Sequence, residues 1–184
     1  MNKYLPIILF FVLVIFTSCN KKRGKQTHIN KFVAEWIDKQ ILIPTDISPF
    51  YADSTNKEII TNRQDVYKIV VYVDSFECTT CNLRLYLWKE FISETAECCA
   101  DNVNYLFYFQ PKSNNSDIVS LMKRDRFYYP VFFDEKNTIA KMNHWGNEVS
   151  SMCFLLDKNN RVLLVGDPTH NLRLWELYKK VVSG

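Results

Sequence analysis

The sequence predicts an α/β fold, a central mixed sheet flanked by helices. Three observations carry this. Val66-Tyr67-Lys68-Ile69-Val70-Val71-Tyr72-Val73 is an apolar, β-branched run, the mark of a strand buried on both faces. A helix-like run, Leu83 to Ile92, separates it from a second such strand, Val103 to Phe109, and a crossover helix makes two strands parallel neighbours. A late hairpin signal then adds an antiparallel edge.

The elements follow in chain order. Between Asn30 and Lys39, Val33, Trp36, Ile37 and Gln40 fall at helical spacing, predicting a short amphipathic helix. Ile41-Leu42-Ile43 predicts a short strand stopped by Pro44, and the polar stretch Thr45 to Gln64 predicts turns or a hairpin. After the first long strand, Cys81, Leu85, Trp88 and Ile92 form an inward stripe on one helix. Gln110-Pro111 closes the second strand. Ser116 or Asp117 caps a helix carrying Ile118, Val119, Leu121 and Met122. Pro130 to Asp134 reads as a short extended piece. Met152 to Leu156, the turn Asp157-Lys158-Asn159-Asn160, and Arg161 to Val165 make the hairpin. Gly166-Asp167-Pro168 breaks it, and Thr169 or Asn171 starts a last helix with apolar positions Leu172, Trp175, Leu177 and Tyr178.

The chemistry concentrates in Cys78-Thr79-Thr80-Cys81, between the first long strand and its helix. A cysteine at a helix N-terminus is favoured as the thiolate, the species that attacks a disulfide. Cys78 is the expected attacking thiol, and Cys81, one turn on, is placed to resolve the mixed disulfide. Glu77 opposes this by like-charge repulsion of the Cys78 thiolate. A purely structural CxxC bridge would close a very short loop and restrain little unfolded-chain entropy, which argues for redox use.

The N-terminus sets the compartment. Met1-Asn2-Lys3 is a positive start, Tyr4 to Phe16 an apolar core, and Thr17-Ser18 small residues before Cys19. This is the layout of a secretory signal, too short for a comfortable membrane span. Residues 1–18 are expected to be a lipoprotein signal peptide, residues 19–29 a lipidated Cys19 with a basic tether, and residues 30–184 the folded domain. Several acyl chains on Cys19 would hold the chain to a membrane, and Lys21, Lys22, Arg23 and Lys25 could sit against anionic headgroups. Of 23 basic residues the signal takes only Lys3, leaving 22 against 20 acidic; without the tether's four the body has 18 against 20. No charge bias draws it to nucleic acid.

Strand, CxxC, βαβ, hairpin and helix together resemble the thioredoxin fold, and Ser151 to Asn160 looks like the strand–turn–strand segment of that family. Gly166-Asp167-Pro168 before an amphipathic helix, with Phe16-Thr17-Ser18-Cys19 resembling a lipobox, is similar to redoxin-type bacterial envelope lipoproteins. The resemblance implies a membrane-anchored thiol–disulfide oxidoreductase facing the periplasm, with no bound cofactor or resident metal, expected to be monomeric. Its partners would be cysteine-containing exported proteins and a redox protein that resets the Cys78/Cys81 pair. The chain departs from the family in Glu77 where tryptophan is usual, Thr79-Thr80 between the thiols, Ser151 at the cis-proline position, and Tyr72 at the buried acid, with Asp74 the nearest carboxylate.

Three other readings stand beside it. A thioredoxin-like binding module would keep the fold without catalysis. Copper delivery would add His144 or His170 to the two cysteines as soft-metal ligands. A peroxidase would draw on Ser75-Phe76-Glu77-Cys78, with Arg84 or Arg126 to bind peroxide. Cys98 and Cys99 are expected to be small buried hydrophobes, with pairing of one to Cys153 or to another thiol as the alternative, and Cys153 is expected to pack in the core.

Overall fold

The computed structural model describes residues 30–53, 65–74, 83–99, 102–112, 114–146 and 151–184, of Cys98 only the backbone. The chain divides into two units, Met1–Trp36 and Ile37–Gly184. In the first, residues 30–36 form helix α1, with the Phe32 and Trp36 rings 6.4 Å apart. The helix stops short of the expected Lys39, and Asp38 takes a left-handed backbone with φ 63°.

The second unit holds a mixed six-stranded sheet. In chain order its elements are β1 (Pro49–Phe50), β2 (Tyr67–Val73), α2 (Leu85–Cys99), β3 (Val103–Phe109), α3 (Ser116–Asp125), β4 (Val131–Phe133), α4 (Thr138–Met142), β5 (Ser151–Leu156), β6 (Val162–Val165), a 3₁₀ turn (Pro168–His170) and α5 (Leu172–Val182). The sheet order is β1-β4-β3-β2-β5-β6. β2 and β3 run parallel, as the crossover requires, with Tyr67 beside Val103 and Val73 beside Phe109. β4 extends the parallel part, and β5 and β6 add the antiparallel edge.

Period-two alternation divides β2. Ile69, Val71 and Val73 join the main core with Leu85, Trp88, Phe91 and Ile92 of α2, Phe107 and Phe109 of β3, and Tyr178 and Val182 of α5. Val70 and Tyr72 are also buried, on the opposite face, where Trp145 packs 5.2 Å from Tyr72 and 5.9 Å from Phe154. Tyr129 and Phe133 pack against the main core, while Phe132 stacks on Tyr108 at 4.9 Å.

The hairpin turn is closed by Asp157, whose Oδ1 accepts the N–H groups of Asn159 and Arg161, each at 2.8 Å. Asn160 holds a left-handed backbone there, which asparagine tolerates better than most residues. Gly166 has φ +115°, and a Cβ would meet Leu174 at 3.0 Å, so glycine is required where β6 turns away.

Several expectations need correction. Ile41-Leu42-Ile43 forms no strand, because an asparagine side chain takes the place of a strand neighbour. Asn143 accepts the Leu42 N–H at 2.7 Å and donates to its carbonyl at 2.8 Å. A strand lies instead at Pro49–Phe50, within the stretch read as turns, on an edge where proline's missing N–H is tolerated. α2 begins at Leu85, and Arg84 before it is left-handed with φ 40°, so the expected helix does not include Leu83. Neither Ser116 nor Asp117 caps α3; Asn115 is the cap, and Asn114 Oδ1 accepts the Ser116 N–H. α4 has no counterpart in the expectations. In α5, capped by Asn171 as expected, Leu172 is 75% exposed and Leu177 is also exposed, whereas Tyr178 and Val182 are buried.

Candidate functional site

β2 ends at Val73 and α2 starts at Leu85, so the chain between them carries Cys78 and Cys81. Both thiols lie outside the described residues, as does Cys19. Cys81 precedes α2, so the stripe shared with Leu85, Trp88 and Ile92 contains only those three. The described surroundings nevertheless define a site. A cavity of about 270 Å³ is lined by Val71 and Val73 of β2, Leu83, Leu85 and Trp88 leading into and along α2, and Phe107 and Phe109 of β3. Its polar lining is Ser151, Asp167 and His170.

Each polar residue has a local reason for its place. Ser151 heads β5 and is registered against Val73, the last residue of β2. Asp167 caps the 3₁₀ turn: its Oδ1 accepts from the Thr169 N–H and the Thr169 hydroxyl, each at 2.7 Å. His170 ends that turn, its N–H donating to the Asp167 carbonyl at 3.3 Å, and the turn packs against α2. Beyond Asp167, Cys153 is buried in β5 with its sulfur 3.9 Å from the Tyr178 hydroxyl, which donates to the Gly166 carbonyl at 2.8 Å. Burial, then the charge of Asp167, pushes the Cys153 thiol well up, so it is a packing residue and not a nucleophile. Tyr178 is likewise pushed up, first by burial.

Tyr72, where the resemblance implies a buried acid, belongs to the other face, and its hydroxyl donates to Asn137 Oδ1 at 2.8 Å. Burial and the carboxylates of Asp74 and Asp134 raise it to about 12. His144 ends the turn after α4 with a left-handed backbone and does not line the cavity. The cavity thus brings His170, and not His144, alongside Val73 and Leu83. Sequence reasoning used Asp167 only as a breaker and His170 only as a distant metal ligand; a capped turn directly after a hairpin was the available signal. Cys99, read as a simple buried hydrophobe, is disulfide-bonded, and its partner is not Cys153, which is free. Among the described residues no Cys/His/Asp/Glu cluster could hold a metal, and no peptide bond is cis, that before Pro130 included.

A larger cavity, about 480 Å³, lies around the start of β3, lined by Val103, Asn104, Tyr105, Ile92, Cys99 and Ile43 among others. It does not adjoin the carboxyl end of β2, and ligands of open α/β sheets bind at carboxyl ends. The smaller cavity is therefore the functional candidate.

No family model matches the chain, and no curated protein matches it. Solved structures do. StoA from Bacillus subtilis is 16% identical with a TM-score of 0.50, over 72% of this chain and 99% of that one. A thiol:disulfide interchange protein from a Bacteroides species is 11% identical with a TM-score of 0.53, over 80% and 92%. At these identities the likeness is one of fold.

Proposed function

From a chain that is thioredoxin-like in fold, of the redoxin type, we propose a thiol–disulfide oxidoreductase working through Cys78 and Cys81. The observation that carries it is the position of Cys78-Thr79-Thr80-Cys81 in the β2–α2 connection, at the carboxyl end of a central parallel strand. Cys78 attacks a disulfide of an exported protein, forming a mixed disulfide, and Cys81 displaces the partner. The similar structure from a Bacteroides species, a thiol:disulfide interchange protein, supports the same chemistry by analogy of fold. We place the chain in the bacterial envelope, anchored through acylated Cys19 and facing the periplasm, on the signal-like start and basic tether.

Replacing Cys81 with Ser tests the chemistry. A mixed disulfide through Cys78 should accumulate on partner proteins and vanish on further replacement of Cys78; failure to trap any adduct, in cells or with a model disulfide, removes the proposal. Incorporation of labelled palmitate, lost in Cys19→Ala, tests the anchor. The departures at Glu77 and Ser151 favour a second reading, a non-catalytic binding module. A Cys78 pKa near the free value of about 8.5 would select it.

A further inference from the structure

β3 is covered unevenly along its outer edge. β4 pairs only with Phe107, Tyr108 and Phe109, set opposite Val131, Phe132 and Phe133. The amino half of β3, residues 103–106, has no strand on that side among the described residues. Two bonds fix the direction of the backbone there. The Gln110 N–H donates to the Val73 carbonyl, and the Asp134 N–H donates to the Phe109 carbonyl, each at 2.9 Å. Successive residues of a paired strand aim their N–H and C=O groups to alternate sides, so Phe107, Tyr105 and Val103 point away from β2.

The β4 ladder stops for a chemical reason. Continued toward the start of β3, it would set the nitrogen of Pro130 against the Tyr105 carbonyl, and proline has no N–H to give. Among the described residues no other backbone group bonds the outward N–H and C=O of Val103 and Tyr105. The larger cavity, about 480 Å³, runs along this open edge and has walls on both faces of the sheet. On the α2 face stand Ile92, Thr95 and Ala96. On the α4 face stand Ile43, Pro44 and Ile47, around Asp46, which is close enough for its charge to act on the Tyr108 hydroxyl. Lys68 also lines the cavity, but its ammonium donates to the Val66 and Lys158 carbonyls at 3.5 and 3.3 Å.

An occupant that touches both walls lies in the plane of the sheet. One that satisfies Val103 and Tyr105 brings amide donors and acceptors at strand spacing. An extended polypeptide meets both demands. We propose that this edge is a docking groove for an uncharged, apolar, extended segment of another polypeptide, which joins the sheet as a strand beside residues 103–106. At about 3.3 Å per residue the paired stretch is roughly 13 Å long. Its side chains enter the α2 wall and the α4 wall in turn, so both sets are apolar, as in a strand buried on both faces. The groove lies at the opposite end of β3 from the β2–α2 connection, and the proposal stands without the exchange reading.

The probe is a blocked peptide of alternating valine and isoleucine between terminal lysines, added to the full chain while amide hydrogen exchange is followed by NMR. In the peptide-free protein the outward amides of Val103 and Tyr105 should exchange faster than those of Leu106 and Tyr108, which face β2. At about ten times its Kd the peptide should slow Val103 and Tyr105 about tenfold. The same peptide N-methylated at every apolar residue keeps its side chains, loses its donors, and should have no effect at equal concentration. Ala96→Trp fills the α2 wall from an exposed helix position and should weaken binding about tenfold. No response at millimolar peptide, equal protection by the methylated peptide, or unchanged binding to the Ala96 variant overturns the inference. So does a peptide-free protein whose Val103 and Tyr105 exchange as slowly as Leu106 and Tyr108, since the chain itself would then cover the edge. Protection that grows with protein concentration alone assigns the groove to a second copy and overturns it equally.

Discussion

The two faces of the sheet are held by different means. On the α2/α5 face the contacts are broad and apolar: Trp88 meets Phe107 edge-on at 5.3 Å, and Phe91 meets Trp175 at 4.8 Å. On the α4 face, apolar packing is interrupted by polar side chains bonded to backbone, near and distant. Asp134, 1% exposed, accepts the N–H groups of Thr138 and Ile139 at 2.7 and 2.8 Å, and Asn143 ties Leu42 to the end of α4. The first face resists by buried area, the second by a few directional bonds, of which those of Asp134 leave buried groups unpaired when lost. The candidate site belongs to the first face, at its upper end.

The sharpest way to break this comparison is Trp88→Ala. Trp88 is 1% exposed and touches Phe91 and Phe107, so its truncation should cost about 3–5 kcal/mol by chemical denaturation. Asn143→Ala should cost less, about 0.5–1.5 kcal/mol, because it gives up bonds to the Leu42 N–H and carbonyl, where water can take its place, and a bond to the Ile139 carbonyl. Equal losses in the two variants would show that directional bonds hold as much of the fold as the aromatic core.

The same division explains what could be read in advance. β2, β3, the hairpin and the Leu85, Trp88, Ile92 stripe follow from local periodicity, which depends only on residues a few positions apart. The irregular path of residues 41–44 depends on Asn143 meeting a backbone 101 positions away, and β1 on its pairing with β4, where Pro49 lies beside Phe132; no local pattern encodes either. The start of α2 was misjudged because the break is a left-handed backbone at Arg84, a residue whose propensity favours helix. At the site, the thiols were legible as a motif. His170 was not, because its place beside β2 is set by the β5–β6 hairpin, the positive-φ turn at Gly166 and the Asp167 cap acting together.

A finer comparison comes from Tyr72→Phe. Its hydroxyl donates to Asn137 at 2.8 Å, so the change should cost about 1 kcal/mol near neutral pH. The tyrosine is raised in the fold to about 12, against 10.0 as its ordinary value. Its neutral form is thus the favoured one when folded: the contribution is complete below pH 10 and is lost as pH rises from 10 toward 12, where the unfolded chain ionises first. Stability measured across that range should fall more steeply in the wild type than in the phenylalanine variant; parallel curves would mean that the hydroxyl is solvated.

The smallest expected effect tests whether directional bonds matter on the apolar face as well. Glu94 of α2 accepts from the Trp175 indole at 2.9 Å and the Lys179 ammonium at 2.8 Å, both on α5. The two bonds, that from Lys179 first, hold its carboxyl below the usual range. The side chain is about half exposed to solvent, which screens the pair, so Glu94→Gln should cost only about 0.5 kcal/mol at neutral pH. A carboxyl lowered in the fold stabilises above its unfolded pKa and stops doing so as pH falls through the folded value. The difference between wild type and variant should therefore shrink to nothing on acidification below the carboxylate range, and shrink with added salt at neutral pH. A difference that persists in acid would instead mean that the amide does not replace the carboxyl oxygen as acceptor for the Trp175 indole, and would join this contact to the packing of Phe91 against Trp175.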